Sequence, residues 1–227
     1  MQTISGYIIT EQLCESSQSI VYRAYRQSDS KPVILKVLRD PYPSPSRIAW
    51  FRREYEILRS LHVPGVVRPY NLETANQRWV MVLEDKGCDS LERLDIAGQF
   101  TLPDFLELAI GITTILGQIH QRHIIHKDIN PSNIVFNPHT RDLQLIDFGI
   151  AAVVSRETTA SRHPEYLEGS LAYISPEQTG RINRAIDYRT DFYSFGITLY
   201  ELLLGQVPFV SESTLELIHG HIARQPA

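Results

Sequence analysis

A chain of 227 residues has room for one large domain or two modest lobes, and at that size it needs no covalent staples to hold a core. Its two cysteines, Cys14 and Cys88, exclude a disulfide framework and point to a reducing compartment. A net charge of −4 gives no electrostatic case for nucleic acid or an anionic membrane as partner. In chain order, the opening MQTISGYIIT lacks a basic region followed by a long apolar core, so it does not read as a signal peptide. GYIITEQL, SIVYRAYR and KPVILKVL then carry branched and aromatic residues between polar turns, which predicts three strands. The Pro-rich DPYPSPS reads as a connector, RIAWFRREYEILRSL as a helix, and GVVRPYNL and RWVMVLED as two further strands.

Around EDKGCDS the pattern changes. LPDFLELAIGITTILGQIHQR, YRTDFYSFGITLYELLLG and STLELIHGHI predict helices, with two short strand candidates, NIVF and LQLI, in the loop-rich stretch after the first. The longest apolar run, FLELAIGITTILGQIH, is broken by Glu107 and reads as too short to span a bilayer, so the protein is expected to be soluble and cytoplasmic. No repeat or low-complexity segment interrupts this order. The expected fold class is α+β and bilobal. A β-rich lobe with one key helix fills residues 1–84, a hinge 85–88, and a larger helical lobe 89–227.

The chemistry concentrates in HKDINPSN, from His126 to Asn133, and in IDFGIA, from Ile146. A single D-F-G tripeptide is more often an ordinary turn. Here its neighbours agree in order and spacing, and the whole chain resembles the protein-kinase family. That resemblance implies the fold above, ATP and Mg²⁺ as cofactors, and phosphoryl transfer to serine or threonine hydroxyls of protein substrates. It implies that Asp128 orients the acceptor hydroxyl and that Asn133 and Asp147 hold metal. Lys36 in VILK would hold the α- and β-phosphates, with Glu54 as its helix partner; Glu56 competes, but Glu54 lies three residues before the pair Ile57-Leu58. Leu13, Cys14, Ser16, Ser19, Val21, Ile34, Glu84, Lys86 and Val135 would complete the ATP site, with Leu83 at its back and residues 84–86 offering hinge backbone groups. Downstream, Ser170 in EGSLAY, Glu177 in SPE and Asp191 in DFYSFG match the substrate-facing segment and the helix that anchors the catalytic loop.

Within the family, HKDINPSNIVFNP, EGSLAYISPEQTGRINRAIDYRTDFYS and HIARQP resemble the N-terminal kinase domains of large bacterial hybrid signalling proteins. There the kinase precedes ATPase, GAF and histidine-kinase modules, which are the implied partners. Such domains continue with further helices after HIARQP. The chain therefore reads as C-terminally truncated, with the arginine expected to pair with Glu177 missing or replaced by another cation.

Four departures from the family pattern matter. The glycine loop is replaced by Cys14, Ser16 and Ser19; if these adopted left-handed geometry each would cost roughly 1–2 kcal/mol. A stiffer loop and weaker ATP affinity are expected, against the alternative of a plain hairpin tip. Lys127 replaces the common arginine, so activity is expected to depend little on phosphorylation of Ser155, Thr158, Thr159 or Ser161. Asn130 stands where these kinases usually carry lysine, which removes a charge from the transferring phosphate. Ile34 replaces the usual alanine above adenine. A weakly active or inactive nucleotide-binding scaffold is the alternative function. The histidines His120, His123 and His126 share a spacing of three, but no Cys or carboxylate cluster completes a zinc site.

Overall fold

A computed structural model describes residues 4–153 and 169–226, so Ser155, Thr158, Thr159 and Ser161 lie outside the described residues. The chain forms two compact units, Met1–His62 with Val66–Cys88, and Val63–Gly65 with Asp89–Ala227. The first is β-rich and the second helix-rich, an α+β, bilobal arrangement.

The first unit holds β1 (Tyr7–Glu15), β2 (Ser19–Arg26), β3 (Lys31–Leu38), α1 (Pro45–Ser60), β4 (Pro69–Ala75) and β5 (Arg78–Glu84). The strands make one antiparallel sheet in the order β1-β2-β3-β5-β4. Alternation divides β3 between the two faces. Val33, Leu35 and Val37 enter a core with Ile20, Tyr22, Ala24, Val80 and Val82, leaving Ile34 and Lys36 on the opposite face. Register sets Val21 beside Lys36 and Leu83 beside Ile34 on that second face. The start of α1 lies inside the stretch expected to be a connector. Ser44 caps the helix by accepting from the Arg47 N–H at 3.3 Å, and Pro45 occupies the first turn, where its missing N–H costs nothing.

The fourth strand begins at Pro69, four residues later than the apolar pattern GVVRPYNL suggests. Gly65 explains the delay. Its φ is +86°, a Cβ there would lie 2.4 Å from Ile115 Cδ1, and its carbonyl accepts from the Leu145 N–H at 2.7 Å. Residues 63–65 are thereby tied into the second unit, and Val66 and Val67 are buried without belonging to a strand.

The second unit begins with β6 (Asp89–Ser90) and α2 (Leu91–Leu94), followed by α3 (Leu102–Gln121) and β7 (Ile124–Ile125). The hairpin β8 (Ile134–Phe136) and β9 (Leu143–Leu145) comes next, then β10 (Ala152–Val153), short 3₁₀ turns at Leu171–Tyr173 and Pro176–Thr179, and α4 (Arg189–Leu204) and α5 (Thr214–Ala223). Thr101 caps α3, and Phe105, Leu108, Ile112, Ile115, Leu116 and Ile119 form its inward stripe at helical spacing. They join Ile129, Ile134, Leu145 and Phe148 in burial. α3 has 20 residues and contains an 18-residue window of mean hydropathy 1.3, so it is long and apolar enough to cross a membrane by length and composition alone. The apolar run from Phe105 to His120 lies within this longer helix, and Glu107 is on its exposed side.

Candidate active site

The lysine on β3 and the glutamate on α1 meet. Lys36 Nζ donates to Glu54 Oε1 at 2.7 Å, and both side chains are buried. Glu56 points outward and lies 3.9 Å from Arg59 across one turn. Ile34 and Val21 are half-buried and Leu83 buried on the same face of the sheet as Lys36. Glu84 ends β5 and accepts from the Tyr70 hydroxyl, while Lys86 is exposed.

The β1–β2 hairpin differs from expectation in an instructive way. Leu13 is half-buried, Cys14 and Ser16 are exposed, and none of Cys14, Ser16 and Ser19 has a positive φ, so no left-handed cost arises. The serines replace glycine geometry with side-chain bonding. Ser16 Oγ accepts from the N–H groups of Gln18 at 3.2 Å and Ser19 at 3.0 Å, and the Ser16 N–H donates to the Ser19 carbonyl at 2.8 Å. Three backbone donors at the tip are satisfied within the turn.

In the second unit the loop from His126 to Asn133 is over-determined. Buried Asp191, in the first turn of α4, accepts from the backbone N–H groups of His126 (2.9 Å) and Lys127 (2.7 Å) and lies 2.7 Å from His120 Nε2. The Gln178 amide donates to the Lys127 carbonyl at 2.7 Å. These ties hold Lys127 at φ 72°, a left-handed conformation that costs a non-glycine residue about 1–2 kcal/mol. His126 Nε2 lies 2.9 Å from the Ile146 carbonyl, linking this loop to the strand end before Asp147. His120 and His126 thus serve as hydrogen-bonding posts, and no cluster of three or more metal-binding side chains occurs among the described residues. His120 and Gln178 were missing from the sequence-based site. The polar ends of α3 and of SPEQ carry a signal for them only once their distant partners are known.

The Asp128 carboxylate is gripped on both sides. Asn133 Nδ2 donates to Oδ2 at 2.9 Å and to the Asp128 carbonyl at 2.9 Å, and the Ser170 N–H donates to Oδ1 at 2.8 Å. The β8–β9 register pairs Ile134 with Leu145, and the Ile146 N–H donates to the Asn133 carbonyl at 3.0 Å. Asn133 and Asp147 therefore flank the same end of one hairpin. Val135 is the half-buried middle residue of β8. Glu177 is buried and accepts from Thr190 Oγ1 at 2.7 Å, with no ion pair to it among the described residues.

Magnesium fits this donor set. It takes one or two protein oxygens and completes its shell with water and phosphate, so an amide plus a carboxylate suffices where a structural metal would need more. Asn133 uses its N–H groups on Asp128, which leaves Oδ1 as the atom it can offer a cation.

The sequence profile described as the protein kinase domain matches residues 7–225. The chain belongs to the protein kinase family. It is 32% identical over 222 residues to the serine/threonine-protein kinase PrkC of Bacillus subtilis, covering 96% of this chain and 34% of that protein. It is 32% identical over 213 residues to the probable serine/threonine-protein kinase SCO3848 of Streptomyces coelicolor, covering 91% and 31%. With the serine/threonine-protein kinase PknB of Mycobacterium leprae it shares 29% over 202 residues, covering 86% and 32%. This kinase domain spans about a third of the length of these curated relatives.

Proposed function

We propose that the chain is the catalytic domain of a protein serine/threonine kinase that moves the γ-phosphate of Mg·ATP to protein hydroxyls. The observation that carries this reading is the Asp128 carboxylate, fixed by Asn133 on one oxygen and by the Ser170 N–H on the other. A carboxylate so oriented keeps lone pairs with which to accept the proton of an incoming hydroxyl. Lys36, set by Glu54, would neutralise nucleotide phosphates, and Asn133 and Asp147 would hold Mg²⁺. When bound, the metal supplies charge neutralisation on the phosphate oxygens. Ser170 beside Asp128 favours serine and threonine as acceptors.

The named activity of PrkC and its relatives supports the same class of reaction. The likeness to hybrid signalling proteins adds ATPase, GAF and histidine-kinase modules of one signalling system as partners, and we place the domain in the cytoplasm, where ATP is available.

A second reading, a weak or inactive nucleotide-binding scaffold, is favoured by one observation: the β1–β2 tip uses its own N–H groups internally. Incubation with labelled Mg·ATP and a generic protein substrate, beside an Asp147→Asn control, separates the two. Label transferred by the wild type alone supports the kinase. Equal label in both removes it, and nucleotide-induced stabilisation without transfer supports the scaffold.

A further inference from the structure

Asn130, two residues after Asp128, stands where the family resemblance implies a lysine, and its surroundings give it a different task. The residue is 2% exposed. Its Nδ2 donates to the Asp128 carbonyl at 3.1 Å and to Ser170 Oγ at 3.2 Å. Its Oδ1 accepts from the Ser132 N–H at 2.9 Å and from the Ser132 hydroxyl. A primary amide has two donor protons and two acceptor lone pairs, so this group is saturated and has no N–H left for a phosphate oxygen.

The Ser170 N–H donates in turn to Asp128 Oδ1, which closes a ring from Asp128 through Ser170 and Asn130 back to Asp128. An independent feature marks the same close approach. Gly169 has φ +98°, and a Cβ there would sit 3.2 Å from the Lys127 carbonyl oxygen and 3.4 Å from Asp128 Oδ1. Gly169 thus runs against the loop where a side chain would crowd it.

We propose that Asn130 is a positioning residue whose neutral amide clasps Ser170 against Asp128. It thereby sets the acceptor-side wall of the site and makes no contact with the transferring phosphate. This rests on the kinase reading above, but its structural half can be tested without any turnover. Losing the clasp frees the Ser170 N–H and one orientation of the Asp128 carboxylate. The acceptor step weakens while the grip on nucleotide stays.

The test compares wild type with N130A, S170A and the double variant in amide hydrogen exchange over residues 169–175, together with kcat and KM for ATP. Each single variant is expected to quicken exchange in this segment about tenfold, the size of one lost hydrogen bond, and the double variant to add nothing further. In a protein that turns over, kcat falls about tenfold with KM for ATP unchanged. Ser132→Ala removes a bond to Asn130 while leaving the clasp, and should leave exchange at 169–175 near wild type. Unchanged exchange in N130A, additive effects in the double variant, equal quickening by S132A or a raised KM for ATP would each overturn the proposal. If N130A does not fold, S170A alone decides, because it leaves every other Asn130 bond in place. Wild-type protein without phosphoryl transfer would remove the kinase reading, and the exchange data would still decide the clasp.

Discussion

At the scale of single residues, the Lys36–Glu54 pair shows what a buried charge demands. The two side chains are 11% and 5% exposed and 2.7 Å apart, so removing either leaves the other in a poor solvent. Breaking such a pair costs about 3–5 kcal/mol, whereas replacing both members with apolar groups is often near neutral. Lys36→Met and Glu54→Gln are each expected to lower the unfolding free energy by about that amount in urea titrations, and Lys36→Met with Glu54→Leu to recover most of it. A double variant as unstable as the worse single would show that the pair holds the unit together by more than charge compensation. Recovery of stability without recovery of nucleotide-induced stabilisation would separate the pair's functional role from its structural one. The preference for Glu54 over Glu56 was legible in the sequence, since it lies three residues before Ile57-Leu58. Burial supplies the physical reason: Glu54 is on the inward side of α1 with Phe51, Ile57 and Leu58.

At the scale of elements, the β1–β2 hairpin and α5 each make a measurable claim. Ser16 Oγ closes the hairpin tip by taking two backbone N–H groups, work that a glycine-rich loop leaves to the ligand. Ser16→Gly should cost about 0.5–1.5 kcal/mol of stability, tighten nucleotide binding by about threefold to tenfold, and be read by calorimetric titration. Unchanged affinity would mean that this tip does not meet phosphate. On α5, His221 is buried, with Nδ1 3.0 Å from the Tyr193 hydroxyl and Nε2 without a hydrogen-bond partner among the described residues. Phe209 packs edge-on against its ring. Burial pushes the imidazole below its ordinary 6.5, against a smaller opposite pull from the Leu171 backbone. Burial, then Glu177, raises Tyr193 to about 12, so Tyr193 stays neutral throughout. The unfolded chain therefore takes up a proton near pH 6.5 that the folded chain refuses. The contribution of neutral His221 is full above that value and is lost as pH falls from there to the folded pKa. The stability advantage of wild type over His221→Gln should shrink as urea titrations move from neutral pH to below 6.5; an advantage independent of pH would refute the assignment.

Across the whole molecule, what could be read from sequence follows the range of the forces involved. The five strands of the sheet and the helices α1, α3, α4 and α5 were legible because their apolar spacing repeats within each segment. The two-residue strands β6, β7 and β10 were not, because only their distant partners define them. The same holds for the site. Asp128, Asn133 and Asp147 stood out through family spacing, whereas the bonds from His120 to Asp191 and from Gln178 to the Lys127 carbonyl join residues 71 and 51 positions apart. Local sequence also hid the left-handed backbone at Asp147, φ 59°, since nothing in the residue itself requires it. That conformation dictates how the metal assignment is best tested. Asn tolerates left-handed geometry at least as well as Asp, so Asp147→Asn removes a charge without forcing the turn to move, as alanine would. A ligand at about 100 times its Kd stabilises by about 2.7 kcal/mol, which for a chain of this length raises the melting temperature by about 5–10 °C. With ATP at that excess, wild type is expected to show this rise in Mg²⁺ and a smaller one in chelator. Asp147→Asn should show the smaller rise in both. Equal rises for the variant and wild type in Mg²⁺ would take the metal away from Asp147, and with it the role given to the end of the β8–β9 hairpin.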